Sequence, residues 1–226
     1  MILTRLKYRT LWHHQQLGKK LDFYHRINTL DDYRRLLEKL FGFYEPLEVS
    51  LEATLSWSVI EFDFQSRKKT PMLISDLHSL GVADTLFLPR CGMLPKLDTL
   101  PRVFGCLYVL ESATLDGQIV LRHLNRTLGI TPESGGAFFN SYGGQVITRW
   151  RDFGLQLKAY AAKPEVEEAV TRAAIDTLVR LDQWMMSKSG AVAKMQGVER
   201  LLPGEQAAQM QEEVCSSSIL SLTETS

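Results

Sequence analysis

Apolar residues recur along this chain with a period close to 3.6, and the two-residue alternation of a half-buried strand is scarce. Residues 1–18 form a first amphipathic segment, expected to end near Gly18. Asn28-Thr29-Leu30-Asp31-Asp32 supplies a cap and early-turn acids for a second helix, along which Tyr33, Leu36, Leu37, Leu40, Phe41 and Tyr44 fall at helical spacing. Pro46 is expected to interrupt that helix or to start the next, which runs toward Phe62. Met72 to Leu80 reads as a short helix closed by Gly81. Leu100 to Leu128 is the longest apolar helical stretch, ended by Gly129, and two further helices are expected over about 145–162 and 164–187, the second opening on Pro164. Between them lie a basic segment, Ser66-Arg67-Lys68-Lys69-Thr70-Pro71, read as a solvated connection, a loop from Pro89 to Pro95, and a glycine-rich loop from Ser134 to Gly144. After Ser187 the pattern weakens into scattered Gly, Gln, Glu and Ser. The fold class is therefore all-α, with one helical domain over 1–187 and a tail over 188–226 that is partly helical and otherwise disordered.

Composition narrows the partners. The 226 residues are 45% hydrophobic, enough for a substantial core, and 26 basic residues balance 26 acidic ones, which argues against nucleic acid as a partner. Cys91, Cys106 and Cys215 are odd in number and widely spaced, so no disulfide framework is expected and a reducing cytoplasm is. No apolar h-region follows the first basic residues and no stretch approaches the roughly 20 apolar residues of a membrane span, so no membrane partner is expected.

Three segments carry candidate chemistry. In the first helix Lys7 and His14 are seven positions apart and share a face, separated by roughly 10 Å at about 1.5 Å per residue. A neutral imidazole there can ligate a metal and the ammonium can hold a carboxylate, the two groups that a haem presents as iron and propionate. The glycine-rich loop lacks GxxxxGK[ST] and follows no strand, so it reads as a device that turns one helix onto another, not a phosphate cradle. Within the long central helix Gly117 costs about 1 kcal/mol relative to Ala, and two causes are open: close approach of a flat ligand, or tight helix packing.

Taken in order, these segments resemble the biliverdin-producing haem oxygenases, in particular the bacterial branch associated with bacteriophytochromes. Lys7-Tyr8-Arg9-Thr10-Leu11-Trp12-His13-His14-Gln15-Gln16-Leu17 looks like the proximal helix, where a Thr lies four residues before the iron-ligating His, which selects His14 over His13. Tyr33 through Glu48 looks like the second helix. Tyr108-Val109-Leu110-Glu111-Ser112-Ala113-Thr114-Leu115-Asp116-Gly117-Gln118 looks like the distal helix. Phe138 through Phe153 resembles a Phe-Phe-x-x-Tyr-Gly…Trp-x-x-Phe stretch, and Ala173-Ala174 to Trp184 fits the last helix.

The resemblance implies a helical bundle with haem, both cofactor and substrate, between the proximal and distal helices. It implies an iron held by His14, and a propionate held by Lys7 with Arg149 or Arg151 as a second contact. Tyr108 falls near the propionate edge in this reading, and an ordinary core position suits it equally. The implied reaction uses dioxygen and an external electron donor, a ferredoxin or a reductase, to open haem to biliverdin, carbon monoxide and ferrous iron; the branch implies a bacteriophytochrome as acceptor of the biliverdin. The distal helix departs from the pattern: Ser112 replaces its first glycine, Ala113 a serine, and Asp116 the first of two glycines, leaving only Gly117. Ser112, Asp116 and Gly117 are thus the candidate catalytic residues. The side chains of Ser112 and Asp116 either hydrogen-bond the distal ligand or crowd it, or Asp116 points away and the helix bends about Gly117 alone; the altered glycines also leave open a rival function, a non-catalytic haem-binding or sensory protein on the same scaffold. A helical interaction protein that has lost haem fits less well, because a decayed site has no reason to keep both Lys7 and His14.

Overall fold

A computed structural model describes residues 2–54 and 62–187 of the chain. Eight α-helices follow one another in the described residues: α1 (Ile2–Leu21), α2 (Phe23–Arg26), α3 (Leu30–Thr54), α4 (Thr70–Ser79), α5 (Leu100–Ala113), α6 (Gly117–Leu128), α7 (Val146–Tyr160) and α8 (Pro164–Met186). No strand occurs among the described residues. The expected tail over 188–226 and the expected continuation from Leu55 to Glu61 lie outside them. α8 packs along α5 and α1, and α3 pairs with α4.

Local chemistry sets the boundaries. α3 starts on a reciprocal cap: the Asp32 amide donates to Thr29 Oγ1 at 3.1 Å and the Thr29 amide donates to Asp32 Oδ2 at 3.1 Å. Gly18, expected to end α1, lies inside it, and the helix runs to Leu21. Pro46 neither ends nor begins a helix; α3 passes through it. A proline leaves the carbonyl four residues earlier without its helical donor. That carbonyl belongs to Gly42, and the Cys91 amide supplies the missing bond at 2.8 Å. Gly42 also lets the chain come close: a Cβ there would stand 2.4 Å from the Pro89 carbonyl oxygen and 2.6 Å from the Trp184 ring.

The central stretch from Leu100 to Leu128 is two helices, not one. The chain turns over Thr114, Leu115 and Asp116, and α6 starts afresh at Gly117. The turn has its own bonds, with Thr114 Oγ1 donating to the Glu111 carbonyl at 2.7 Å. Against this break sits the glycine-rich loop, anchored by the buried Asp76 of α4, whose two carboxylate oxygens accept from the Ala137 and Phe138 amides at 2.8 Å each. The Tyr33 hydroxyl donates to the Gly135 carbonyl at 2.7 Å. The loop connects α6 to α7, which packs against α1 and α5.

Candidate haem-binding cleft

One face of α1, at positions 3, 4, 7, 10, 11 and 14, forms a wall of a cleft of about 690 Å³. The opposite wall comes from the end of α5 and the turn after it, with Tyr108, Ser112, Ala113, Leu115 and Asp116; Trp150 of α7 closes one side. The volume falls within the roughly 300–1,000 Å³ usual for small-molecule sites. His14 and Lys7 therefore face Ser112 and Asp116 across a single slot.

His14 is half-buried and makes no hydrogen bond or ion pair among the described residues. Burial lowers its pKa; the Asp116 carboxylate opposes that shift and His13 adds to it. The net effect keeps the imidazole neutral at neutral pH, with a ring nitrogen free to ligate. Lys7 is exposed at the rim and has no carboxylate partner among the described residues. His13 does not line the cleft; its ring meets Trp12 edge-on at 4.9 Å.

Tyr108 is 4% exposed, and burial raises its pKa while a hydrogen bond with Thr10 opposes the rise. Thr10 in turn donates to the Leu6 carbonyl at 2.7 Å, and the Tyr108 ring lies 5.9 Å from that of Trp150. Tyr108 and Thr10 thus line the cleft from its two walls. Thr10 and Trp150 join the site: the i, i+3, i+4 spacing from Lys7 and His14 puts Thr10 on the same face, and Trp150 is the Trp of the Trp-x-x-Phe stretch.

On the far wall Ser112 donates to the Val109 carbonyl at 3.1 Å, and Asp116 is exposed at the lip. A solvated carboxylate avoids the desolvation cost that a buried one would carry. Gly117 is a different matter. It is buried outside the cleft lining, and a Cβ there would come within 2.4 Å of the Phe139 carbonyl oxygen. Of the two causes open for this glycine, the structure gives packing against the glycine-rich loop, not approach to a ligand.

Neither arginine of α7 lines the cleft. Arg149 points to the opposite side, where it donates to Ser66 Oγ at 2.9 Å and its guanidinium lies 5.5 Å from the centre of the Tyr142 ring. Arg151 is exposed, one residue beyond Trp150.

The basic segment 66–71 is not a solvated connection. Arg67 and Lys69 are 7% and 2% exposed. Arg67 Nη1 pairs with Glu111 Oε2 at 2.7 Å, and the Tyr142 hydroxyl donates to Glu111 Oε1 at 2.7 Å. Lys69 Nζ donates to the Arg67 carbonyl at 2.7 Å and sits 3.7 Å from the centre of the Tyr142 ring. Glu48 of α3 accepts from the Lys69 and Thr70 amides at 2.6 and 3.1 Å, capping α4. This network stands directly behind Ser112, on the side of α5 away from the cleft.

The cleft offers one neutral, unpartnered imidazole, a cation two turns away on the same face, and apolar walls from Leu3, Leu11 and Leu115. Those are the features a flat, largely apolar, metal-centred ring with acidic substituents needs, and haem fits them. An all-α bundle with such a slot between its first helix and a broken central helix has room and donors suited to a haem. A family model described as Heme oxygenase matches residues 1–187, and the chain belongs to that family, whose members take haem as substrate. The comparison with curated proteins found no match.

Proposed function

We propose that this protein is a working haem oxygenase, which uses dioxygen and electrons from an external donor to open haem to biliverdin, carbon monoxide and ferrous iron. The observation that carries this reading is His14 standing opposite Ser112 and Asp116 across one cleft. Haem, once bound, supplies the oxygen-activating iron that opens its own ring. The protein's part is positioning and proton handling. His14, kept neutral by burial, offers iron a nitrogen lone pair. Lys7 offers its ammonium to a propionate, and exposed Arg151 is better placed than Arg149 to join it. Tyr108 and Thr10, both buried, set the two walls against each other. Asp116, at the water-exposed lip, exchanges protons between solvent and the distal side, and Ser112 keeps its oxygen as an acceptor there. A ferredoxin or a reductase is the proposed donor, and a bacteriophytochrome the proposed acceptor of biliverdin.

Titration of the purified chain with hemin tests this. A saturable Soret band is expected, strongly altered in His14→Ala, and addition of a reductant under air should replace it with biliverdin absorbance. A second reading has one observation in its favour: Ser112 and Asp116 put side chains into the slot where the resembled pattern has glycine. Tight haem binding with no biliverdin would select that reading, a non-catalytic haem binder, and absence of saturable binding would overturn both.

A further inference from the structure

A second cleft, of about 610 Å³, lies between the start of α5 and α8 and shares no lining residue with the haem slot. Its charge is unusual for a chain whose formal charges sum to zero. Lys96, Arg102, Arg172 and Arg180 line it, and Asp176 is the one carboxylate in the lining. Asp176 stands 3.5 Å from Arg180 Nε, yet that buried nitrogen has no hydrogen-bond partner. Arg102 is paired outward with Asp98. Arg172 and Lys96 have no ion-pair partner among the described residues. Three of the cations are therefore free or incompletely satisfied, and they converge on one concavity.

Such a cluster has a physical consequence. A cleft lined by one sign of charge with low-dielectric walls focuses its field and concentrates counter-ions. Arginine forks match the oxygens of a phosphoryl group two at a time, and lysine adds a point charge. Between the charged side chains the lining is small, with Pro101, Ala169 and Ala173, so it does not screen the guanidinium groups from a compact anion.

The geometry points to a binding site for a small phosphoryl-bearing anion in the cleft between α5 and α8, held by Arg172, Arg180 and Lys96. The site is separate from the haem slot: α5 contributes Arg102 at its start to one and Tyr108 and Ser112 near its end to the other. Occupancy neutralises the convergent cations across the α5–α8 seam and so stabilises the packing of these two helices.

Calorimetric titration of the full chain with pyrophosphate at low ionic strength, with inorganic phosphate alongside, tests this. Saturable binding is expected, weakened at least tenfold in Arg172→Ala, and in Lys96→Ala as a second, surface-exposed variant. His14→Ala should leave it unchanged. Sodium chloride at matched ionic strength should not reproduce the rise in Tm that pyrophosphate gives. Lack of saturable binding, binding by both cleft variants as tight as that of the wild type, or the same Tm rise from chloride would each overturn the proposal.

Discussion

At the scale of single residues, the cleft turns on how Asp116 acts on His14. The carboxylate raises the imidazole pKa against a larger lowering by burial. Asp116→Asn removes the opposing charge, so the His14 pKa should fall further. NMR titration of the imidazole carbon-bound protons in haem-free protein measures it, and an unmoved His14 would mean that the two groups do not face each other. The sign for stability follows from the same shift. With a folded pKa below 6.5, His14 contributes stability that is present above pH 6.5 and is lost as pH falls through the folded value. Soret titrations should accordingly give one affinity from pH 8 down to 6.5 and weaken only below that. Much of this wall was legible in the sequence, because Lys7, Thr10 and His14 sit at helical intervals and helical geometry alone puts them on one face. Asp116 was legible only as a departure from a resembled pattern. Its exposure depends on a break in the helix that its neighbours Thr114 and Leu115 do not announce.

At the scale of elements, the decisive positions are those where helices approach too closely for a side chain. Gly117→Ala would drive a Cβ to 2.4 Å from the Phe139 carbonyl oxygen, in a loop whose preceding Ala137 and Phe138 amides donate to Asp76. Overpacking of this kind costs about 1–3 kcal/mol. Urea unfolding should show that loss, and the Soret band should shift as well, since α6 begins where the distal wall ends. Gly42→Ala meets the Pro89 carbonyl oxygen and the Trp184 ring, and should lose a similar amount of stability without touching the haem spectrum. The contrast separates a glycine that shapes the cleft from one that only packs the bundle. The all-α class and the order of the long helices came readily from the 3.6-residue period. The extra turn of α1 past Gly18 and the short α2 have no sequence signal of this kind, whereas the break after α5 and the tolerated proline each depend on contacts from elsewhere in the chain. The Cys91 amide, 49 positions from Gly42 in the chain numbering, repairs the ladder that Pro46 opens.

At the scale of the whole molecule, the buried charges behind α5 tie together α3, the start of α4, α5 and the loop before α7. Their burial was invisible in the sequence, where Arg67-Lys68-Lys69 has the composition of a solvated face; only Glu111 and Glu48, far along the chain, make it tolerable. Tyr142 holds a left-handed backbone, φ 70°, a conformation a bulky side chain keeps only when its surroundings fix it, and here Glu111 and Lys69 do so. Breaking a buried pair by removing one partner typically costs about 3–5 kcal/mol, so Arg67→Met, which strands Glu111, should be among the most destabilising single changes in the chain. Lys69 gives the network a pH signature. Burial lowers its pKa from 10.5 to about 8, against the attraction of Glu111 and Glu48 and with help from Arg67 and Arg149. Between those values the unfolded chain holds a proton that the folded chain does not, so this group makes stability rise as pH climbs from about 8 toward 10.5. Urea midpoints of the wild type and Lys69→Met, measured at pH 7.5 and 9.5, should diverge in that direction: the wild type gains relative to the variant at the higher pH. Parallel midpoints would mean that Lys69 keeps its proton in the folded protein, and that the network holds two full positive charges behind the distal wall across this pH range.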